Sequence, residues 1–237
     1  MSDPISTHGW TAVPRDAATV LNTRQEIKDP SAHRVQDISI PQTPLANAVT
    51  EYAKRELSEQ TFNHSMRVYF YGRALLLDHF PTWHFSPETY LLACLLHDIG
   101  TTDTNLSTTL MSFEFYGGIL ALQLLTKELH APREQAESVA EAVFRHQDLG
   151  TEGKITVLGQ VLQMATVFDN MGLHDTLISK ATIEDVVKHY PRNGWSACFA
   201  ATIRKENGRK PWAHTTKLGE EDFPRGVEGN EVMRRWD

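Results

Sequence analysis

A histidine and an aspartate stand side by side in the sequence LLHDIG, at the end of a strongly apolar stretch. Burying an unpaired carboxylate is costly, so Asp98 needs a cation, a set of hydrogen-bond donors or a metal ion near it. Two further residues could join His97 and Asp98: His64 in FNHSMRV and Asp169 in the otherwise apolar MATVFDN. Two imidazoles and two carboxylates form a nitrogen and oxygen ligand set that suits zinc, iron or manganese.

Each of these residues also has a structural interpretation. His64 could be a core histidine with its hydrogen bonds satisfied, and backbone donors could hold Asp98 at a helix end. Asp169 could form a buried ion pair with Arg67 or Arg145. Because the order His, His-Asp, Asp falls on three separate predicted helices, all of these explanations would have to hold at once. The sequence therefore favours a shared metal site.

The candidate ligands lie on predicted helices. From Pro44 onward, apolar residues recur at steps of three and four, the pattern of amphipathic helices. Eight helices are predicted, with starts near Thr43, Thr61, Ser86, Ser112, Pro132, Ile155, Thr182 and Trp195. Residues 43–208 would then be one helical domain, because no alternating strand pattern and no internal repeat is present. Residues 1–42, with four prolines, are expected to be an arm packed on this domain, and residues 209–237 a polar C-terminal tail.

The composition excludes several classes of protein. Of 237 residues, 41% are hydrophobic, which is enough for a packed core. The formal charge of −7 and the lack of a basic stripe argue against binding to nucleic acid or to an anionic membrane. Cys94 and Cys198 form no CxxC motif, which excludes a disulfide framework and a cysteine zinc site. With no leader-like N-terminus and no apolar stretch long enough to span a bilayer, we expect a cytoplasmic protein, and we expect it to form a homo-oligomer.

The order H…HD…D resembles that of the HD-domain superfamily of metal-dependent hydrolases. This resemblance implies an all-α fold, an HD-domain helical bundle with N- and C-terminal extensions. It also implies that the metal ligands are His64, His97, Asp98 and Asp169.

A narrower resemblance rests on four segments, HDIGTT, MSFEFYGG, RHQD and ATVFDN, of which MSFEFYGG is the most specific. Together they are similar to the fungal cyanamide hydratase family. The resemblance implies one Zn²⁺ ion per chain, with Fe²⁺ or Mn²⁺ as alternatives. It also implies a small neutral substrate, cyanamide, whose nitrile-type carbon is attacked by a metal-activated water to give urea. Because water adds and nothing leaves, the reaction class is a hydro-lyase.

Three residues of these segments are predicted to act beside the metal. Glu114, His146 and Thr166 could move protons or contact the substrate. Structural alternatives stay open for each of them. Glu114 could stabilise a helix N-terminus, His146 could stabilise a helix C-terminus, and the Thr166 hydroxyl could bond to the preceding helical turn.

Thr101, Thr102 and Phe115 are predicted to line the substrate pocket, because they lie next to the HD dipeptide or in the aromatic segment MSFEFYGG. The two threonines could equally cap the next short helix, and Phe115 could equally be part of the apolar core.

Lysine and arginine are absent from two segments that supply predicted ligands, Ala74 to Thr126 and Ile155 to Ser179. A site that processes phosphate needs cations or backbone amides to neutralise its substrate. Only Arg67, Arg145 and the metal could do so here, which favours a neutral substrate. An HD-type nucleotide phosphohydrolase is the alternative enzyme, and a metal-stabilised interaction domain is the alternative without catalysis. The polar residues around HDIGTT argue against the latter, because a structural metal site is normally closed.

Overall fold

Helices supply nearly all of the regular structure in the computed structural model, which describes residues 3–24 and 28–237. Of the predicted arm 1–42, residues 1–2 and 25–27 therefore lie outside the described residues. The described residues form twelve α-helices: α1 Pro4–Thr7, α2 Ala17–Asn22, α3 Pro44–Glu56, α4 Glu59–His79, α5 Pro87–Leu96, α6 Asp103–Thr108, α7 Phe113–Gln123, α8 Arg133–Arg145, α9 Val157–Met171, α10 Lys180–His189, α11 Trp195–Arg209 and α12 Asp222–Glu228. The predicted all-α fold class is confirmed.

Three helices at the centre of the bundle carry or adjoin the predicted metal ligands. Helix α4 packs against both α5 and α9, and α5 packs against α8. Every residue of α9 from Val157 to Asn170 is buried, as is every residue of α5 from Thr89 to Leu96. The ligands therefore extend from backbone that has almost no contact with solvent. Within residues 3–24 and 28–237, no helix combines the length and the apolarity that a membrane span needs.

Helix starts follow the capping residues of the sequence. The side chains of Thr43 and Ser86 accept hydrogen bonds from the first turns of α3 and α5, and a proline occupies the next position in both helices. These two predicted starts are confirmed. The predicted start near Thr182 is wrong, because Ser179 caps α10 and the Thr182 N–H donates to its hydroxyl within the first turn.

Two short strands join the N-terminal arm to the domain. Strands β1 (Ala12–Pro14) and β2 (Lys154–Thr156) pair antiparallel, with Val13 opposite Ile155. The structure corrects the sequence analysis here, which predicted no strand and began a helix at Ile155. Strands of three residues are too short to show an alternating pattern, so periodicity could not reveal them.

Residues 209–237, which we call the C-terminal segment, fold back on the domain. Phe223 and Val227 of α12 are buried, and so is Met233. Phe223 and Val227 share a second apolar cluster with Trp195 of α11. The segment expected to be a polar tail therefore contributes apolar side chains to the interior.

Gly72 marks a close approach of α4 to α5. A Cβ atom at this position would lie 1.8 Å from the Tyr90 hydroxyl oxygen, and that hydroxyl donates to the carbonyl oxygen of Val68 at 3.0 Å. We predict that Gly72→Ala lowers the free energy of unfolding by ~1–3 kcal/mol, the usual cost of overpacking a buried site. Denaturant unfolding followed by circular dichroism measures this change.

Gly208→Ala in α11 is the matched control, because nothing lies within 4 Å of the Cβ that it would add. This substitution should leave stability unchanged or slightly raised. Equal stability of Gly72→Ala and the wild type would contradict the tight contact between α4 and α5.

Candidate functional site

His97 and Asp98 lie in the turn that follows α5. The His97 ring donates from Nδ1 to the carbonyl oxygen of Cys94 at 2.7 Å, so in the neutral ring Nε2 carries the lone pair. Gly100 lets this turn approach α7, since a Cβ atom there would lie 2.0 Å from the carbonyl oxygen of Phe113. Helix α7 and the HD dipeptide are therefore held close together by backbone contact.

Three of the four predicted ligands converge on one buried point. The Nε2 atoms of His64 and His97 lie 3.2 Å apart, and Asp98 Oδ2 lies 3.1 Å from His97 Nε2 and 3.6 Å from His64 Nε2. These side chains form a buried group that could hold a metal ion. Neither Asp98 carboxylate oxygen has a well-directed hydrogen-bond donor among the described residues. A buried carboxylate beside two ring nitrogens fits a divalent cation, which would satisfy all three groups together.

The electrostatic environment of His64, His97 and Asp98 stabilises a positive charge among these three side chains. Burial lowers the pKa of His64 to about 4, so the ring is neutral at pH 7 and its Nε2 can act as a ligand. Burial alone would also lower the pKa of His97, but the Asp98 carboxylate outweighs burial and raises it. Although burial opposes ionisation of Asp98, His97 holds the pKa of that carboxyl group well below its usual range. The cluster therefore attracts a cation, whether a proton or a metal ion.

Asp169, the fourth predicted ligand, lies behind His64 and does not join the other three. Its Oδ2 accepts a hydrogen bond from His64 Nδ1 at 2.6 Å. Arg67 donates from Nε to Oδ1 and from Nη2 to Oδ2, each at 2.9 Å, and Arg192 donates from Nη1 to Oδ1 at 3.0 Å. The structure thus differs from the prediction of four converging ligands, because two guanidinium groups bind the same carboxylate. The buried ion pair with Arg67, which the sequence left open as an alternative, is present.

The Asp169 contact orients the His64 ring. Because the carboxylate accepts from Nδ1, His64 keeps its proton on that nitrogen and turns Nε2 toward His97 and Asp98, the arrangement by which a carboxylate fixes a metal-binding histidine. Although burial opposes ionisation, Arg67 and Arg192 hold the pKa of Asp169 far below its usual range, so it remains an acceptor.

Trp195 holds the His64 ring from one face. The two rings stack with centroids 4.3 Å apart and planes 14° apart, and Trp195 Nε1 donates to Asn170 Oδ1 at 2.7 Å. The sequence analysis missed the roles of both Arg192 and Trp195. Arg192 lies in PRNG, which carries no motif, and Trp195 was predicted only as the start of a helix.

A small cavity adjoins the cluster, and two of the predicted catalytic residues line it. The cavity is tight, and its walls include His146, Thr166 and Phe223. The Thr166 hydroxyl is buried and has no partner in the described part of the chain, so it does not bond to the preceding helical turn. This hydroxyl is free to contact a ligand in the cavity.

His146 presents its free ring nitrogen on the same side as Asp98. It donates from Nδ1 to the carbonyl oxygen of Val143 at 2.7 Å, and its Nε2 lies 3.7 Å from Asp98 Oδ1 with no hydrogen-bond partner among the described residues. Burial lowers the pKa of His146 to about 4. At pH 7 its Nε2 is therefore a hydrogen-bond acceptor beside the group of His64, His97 and Asp98.

Glu114 is buried in the first turn of α7, close to the cavity but not in its wall. Its Oε1 accepts a hydrogen bond from Nδ1 of His214 at 2.7 Å, and its Oε2 has no partner among the described residues. The ring of Phe113, the preceding residue, lies 5.5 Å from the His146 ring. The sequence analysis did not single out His214, because the polar segment around it carries no motif.

The three residues predicted to line the substrate pocket make other contacts. Thr101 Oγ1 donates to the carbonyl oxygen of Asp98 at 2.7 Å, and the Thr102 side chain caps α6. The Phe115 ring lies 5.2 Å from the His214 ring. None of the three is among the described residues that line the cavity beside His146, and their place in a substrate pocket stays a prediction. Thr102 matches the alternative interpretation, since its hydroxyl group accepts from the Asn105 N–H at the start of α6, whereas the Thr101 hydroxyl stabilises the preceding turn.

Two curated proteins are similar to this chain over nearly its whole length. Residues 61–171 match the HD domain family. The chain is 41% identical over 223 residues to cyanamide hydratase DDI2 of Saccharomyces cerevisiae, and the alignment covers 94% of this chain and 96% of the relative. Cyanamide hydratase DDI3 of the same yeast matches to the same extent. The chain therefore belongs to the cyanamide hydratase family of HD-domain enzymes.

Proposed function

We propose that this protein hydrates cyanamide to urea with the help of one divalent metal ion, most simply Zn²⁺. The observation that carries the proposal is the convergence of His64, His97 and Asp98 beside a small cavity whose wall presents the unpartnered Thr166 hydroxyl. The yeast relatives bear the name of this activity. Both cysteines are free, which suits a protein of the cytoplasm.

The metal would be held by two imidazole nitrogens and one carboxylate. Three protein ligands and an open position are the usual pattern of a catalytic zinc site. A bound divalent ion would supply Lewis acidity that makes a water molecule a better nucleophile. Asp169 supports this site from behind through His64 and would not bind the ion directly.

The side chains around the cavity match the polar ends of cyanamide. The amino group of cyanamide donates hydrogen bonds, and the neutral His146 Nε2 is an acceptor for one of them. The Thr166 hydroxyl can donate to the nitrile nitrogen, where negative charge develops as the reaction proceeds. Among the buried side chains of the described residues, Glu114 Oε2 is the carboxylate oxygen outside the group of His64, His97 and Asp98 that has no hydrogen-bond partner, and we assign it the role of accepting the proton that water loses.

The reaction needs no leaving group. The water oxygen forms a bond to the nitrile-type carbon, and one π bond between carbon and nitrogen becomes a lone pair on the nitrogen. The proton lost by water returns to that nitrogen, and transfer of the second oxygen-bound proton to nitrogen gives urea. All atoms of water and cyanamide remain in the product.

The charges near the cavity favour this substrate over a nucleotide. Arg67 and Arg145 were the two side chains that could have met a phosphate group. Arg67 binds Asp169 at 2.9 Å, and Arg145 contacts Glu141 and Asp148. Asp98 and Glu114 remain with unpaired oxygens, and these would repel a phosphate dianion. The observations therefore disfavour the nucleotide phosphohydrolase.

The function is tested by supplying both kinds of substrate to the purified, zinc-loaded protein. We expect urea from cyanamide and no phosphate from a panel of nucleoside monophosphates, because the basic side chains nearby are already paired. Colorimetric assays for urea and for inorganic phosphate measure the two outcomes. His97→Ala should abolish urea formation. Phosphate release without urea would overturn the proposal in favour of the phosphohydrolase.

Measurement of the metal content distinguishes the three converging ligands, which bind the ion directly in the proposal, from Asp169, which does not. We predict about one metal ion per wild-type chain and loss of the ion in His97→Ala. Asp169→Asn should still bind the ion, with an affinity lowered by ~10–100-fold, as expected for a residue that orients a ligand. It should also unfold at a lower temperature, because a buried ion pair loses its charged partner.

Asp175→Asn, at an exposed position after α9, is the matched control and should change neither metal content nor stability. Inductively coupled plasma spectrometry after dialysis, together with competition against a chelator of known affinity, measures content and affinity. Complete loss of the metal in Asp169→Asn would instead place Asp169 among the ligands.

The role of Thr166 is tested by a substitution that keeps its shape. Thr166→Val removes only the hydroxyl group, so we predict full metal content and a kcat lower by ~10–100-fold, in the range for loss of a donor to developing charge. Thr202→Val in α11 is the control, because that hydroxyl bonds only to its own helix, at Cys198. Unchanged kcat in Thr166→Val would exclude a contact with the reacting atoms.

A further inference from the structure

His214 ties the C-terminal segment to the start of α7. Its Nδ1 lies 2.7 Å from Glu114 Oε1, and its backbone N–H donates to Ser112 Oγ at 2.8 Å. Phe115 lies beside the imidazole, with ring centroids 5.2 Å apart. The residue therefore contacts three neighbours at the start of α7, namely Ser112, Glu114 and Phe115.

The two oxygens of Glu114 have different surroundings. Oε1 is taken by His214, whereas Oε2 is buried and has no partner among the described residues. A buried carboxylate oxygen without a donor is costly, so its persistence points to a use in the site. Apart from His214, the described hydrogen bonds include no donor to this carboxylate.

A second buried carboxylate nearby serves a different purpose. Glu206 of α11 accepts hydrogen bonds from the Phe113 backbone N–H at 2.7 Å and from the Thr215 hydroxyl at 3.1 Å, and Lys210 Nζ lies 3.6 Å from it. Both of its oxygens are engaged, so Glu206 stabilises the start of α7. Of these two buried glutamates, Glu114 is the one that keeps an oxygen without a partner among the described residues.

We propose that His214 is the positioning residue of Glu114: its Nδ1–H group holds Oε1 and so keeps Oε2 directed to the reacting groups. This inference rests on the proposed function, in which Glu114 accepts the proton of water. His214 does not touch the substrate and acts only through the carboxylate. The C-terminal segment therefore completes the catalytic apparatus of the HD core.

The inference requires that the effect of His214 depend on Glu114. We expect His214→Ala to lower kcat by about tenfold or more, with little change in KM, within the ~10²–10⁴-fold that general acid–base catalysis contributes. His214→Asn should stay within about threefold of the wild type, because its amide N–H group can take the place of Nδ1–H. In a Glu114→Gln background, His214→Ala should cause no further loss, as expected for two residues that act as one unit.

His189→Ala is the matched control, since that exposed histidine bonds only to its own helix, at Asp185. It should keep the wild-type rate. A His214→Ala variant with wild-type kcat would overturn the inference, and so would equal losses in His214→Asn and His214→Ala. The same holds if the His214→Ala loss persists at full size in the Glu114→Gln background.

Proton NMR keeps the inference testable if His214→Ala fails to fold. The His214 Nδ1 proton should resonate far downfield in the wild type and move upfield in Glu114→Gln, which is nearly isosteric. Identical spectra would show that the two side chains are not paired in solution. A wild-type protein that forms no urea would refute the proposed function and this role with it, whereas an active enzyme with a failed double-mutant test refutes the role of His214 alone.

Discussion

The structure depends on one buried carboxylate. Asp169 lies between Arg67 and Arg192, and it accepts the Nδ1 proton of His64. Two arginines and one aspartate without solvent contact are tolerated only where geometry is good, and removing one partner from such a group usually costs ~3–5 kcal/mol. The contacts join α4, α9 and the loop before α11, since Arg67 also donates to the carbonyl oxygens of Tyr190 and Pro191. The group of His64, His97 and Asp98 is therefore supported by a buried network of ion pairs.

Each histidine of the site is oriented by a hydrogen bond from its Nδ1 to an oxygen acceptor. His64 donates its Nδ1 proton to Asp169, His97 to the carbonyl oxygen of Cys94, and His146 to that of Val143. In every case an oxygen acceptor fixes the tautomer, and the free Nε2 faces the metal cluster or the cavity beside it. Burial lowers the pKa of His64 and His146, so these two lone pairs persist at pH 7. The Nε2 atoms of His64 and His146 are therefore acceptors before any ligand arrives.

Sequence reasoning succeeded where a local pattern determines the outcome. The apolar helix before His97, the caps at Thr43 and Ser86, and the spacing that turns His64 inward were all readable from neighbouring residues. It could not decide whether Asp169 binds a metal or Arg67, because both outcomes place the same carboxylate on the same buried face. Arg192 and His214 contact residues that are distant in the sequence, and the spacing of apolar residues along a helix cannot predict such contacts. Pairing across the fold, rather than local preference, determines these roles.

The HD family match covers only part of the chain, and residues of the site come both from inside the match and from after it. The match ends at Met171, and by that point the chain has supplied the three converging ligands, Thr166 and Glu114. Asp169, also inside the match, orients His64, and further restraints come later in the chain: Arg192 binds Asp169, and Trp195 stacks on the His64 ring. Under the proposed function, the HD core provides the chemistry, and residues after it help to hold the ligands in place. Six of the eight residues that line the cavity lie within the match, and Leu218 and Phe223 lie after it, so under the proposed function both parts of the chain limit the size of the substrate.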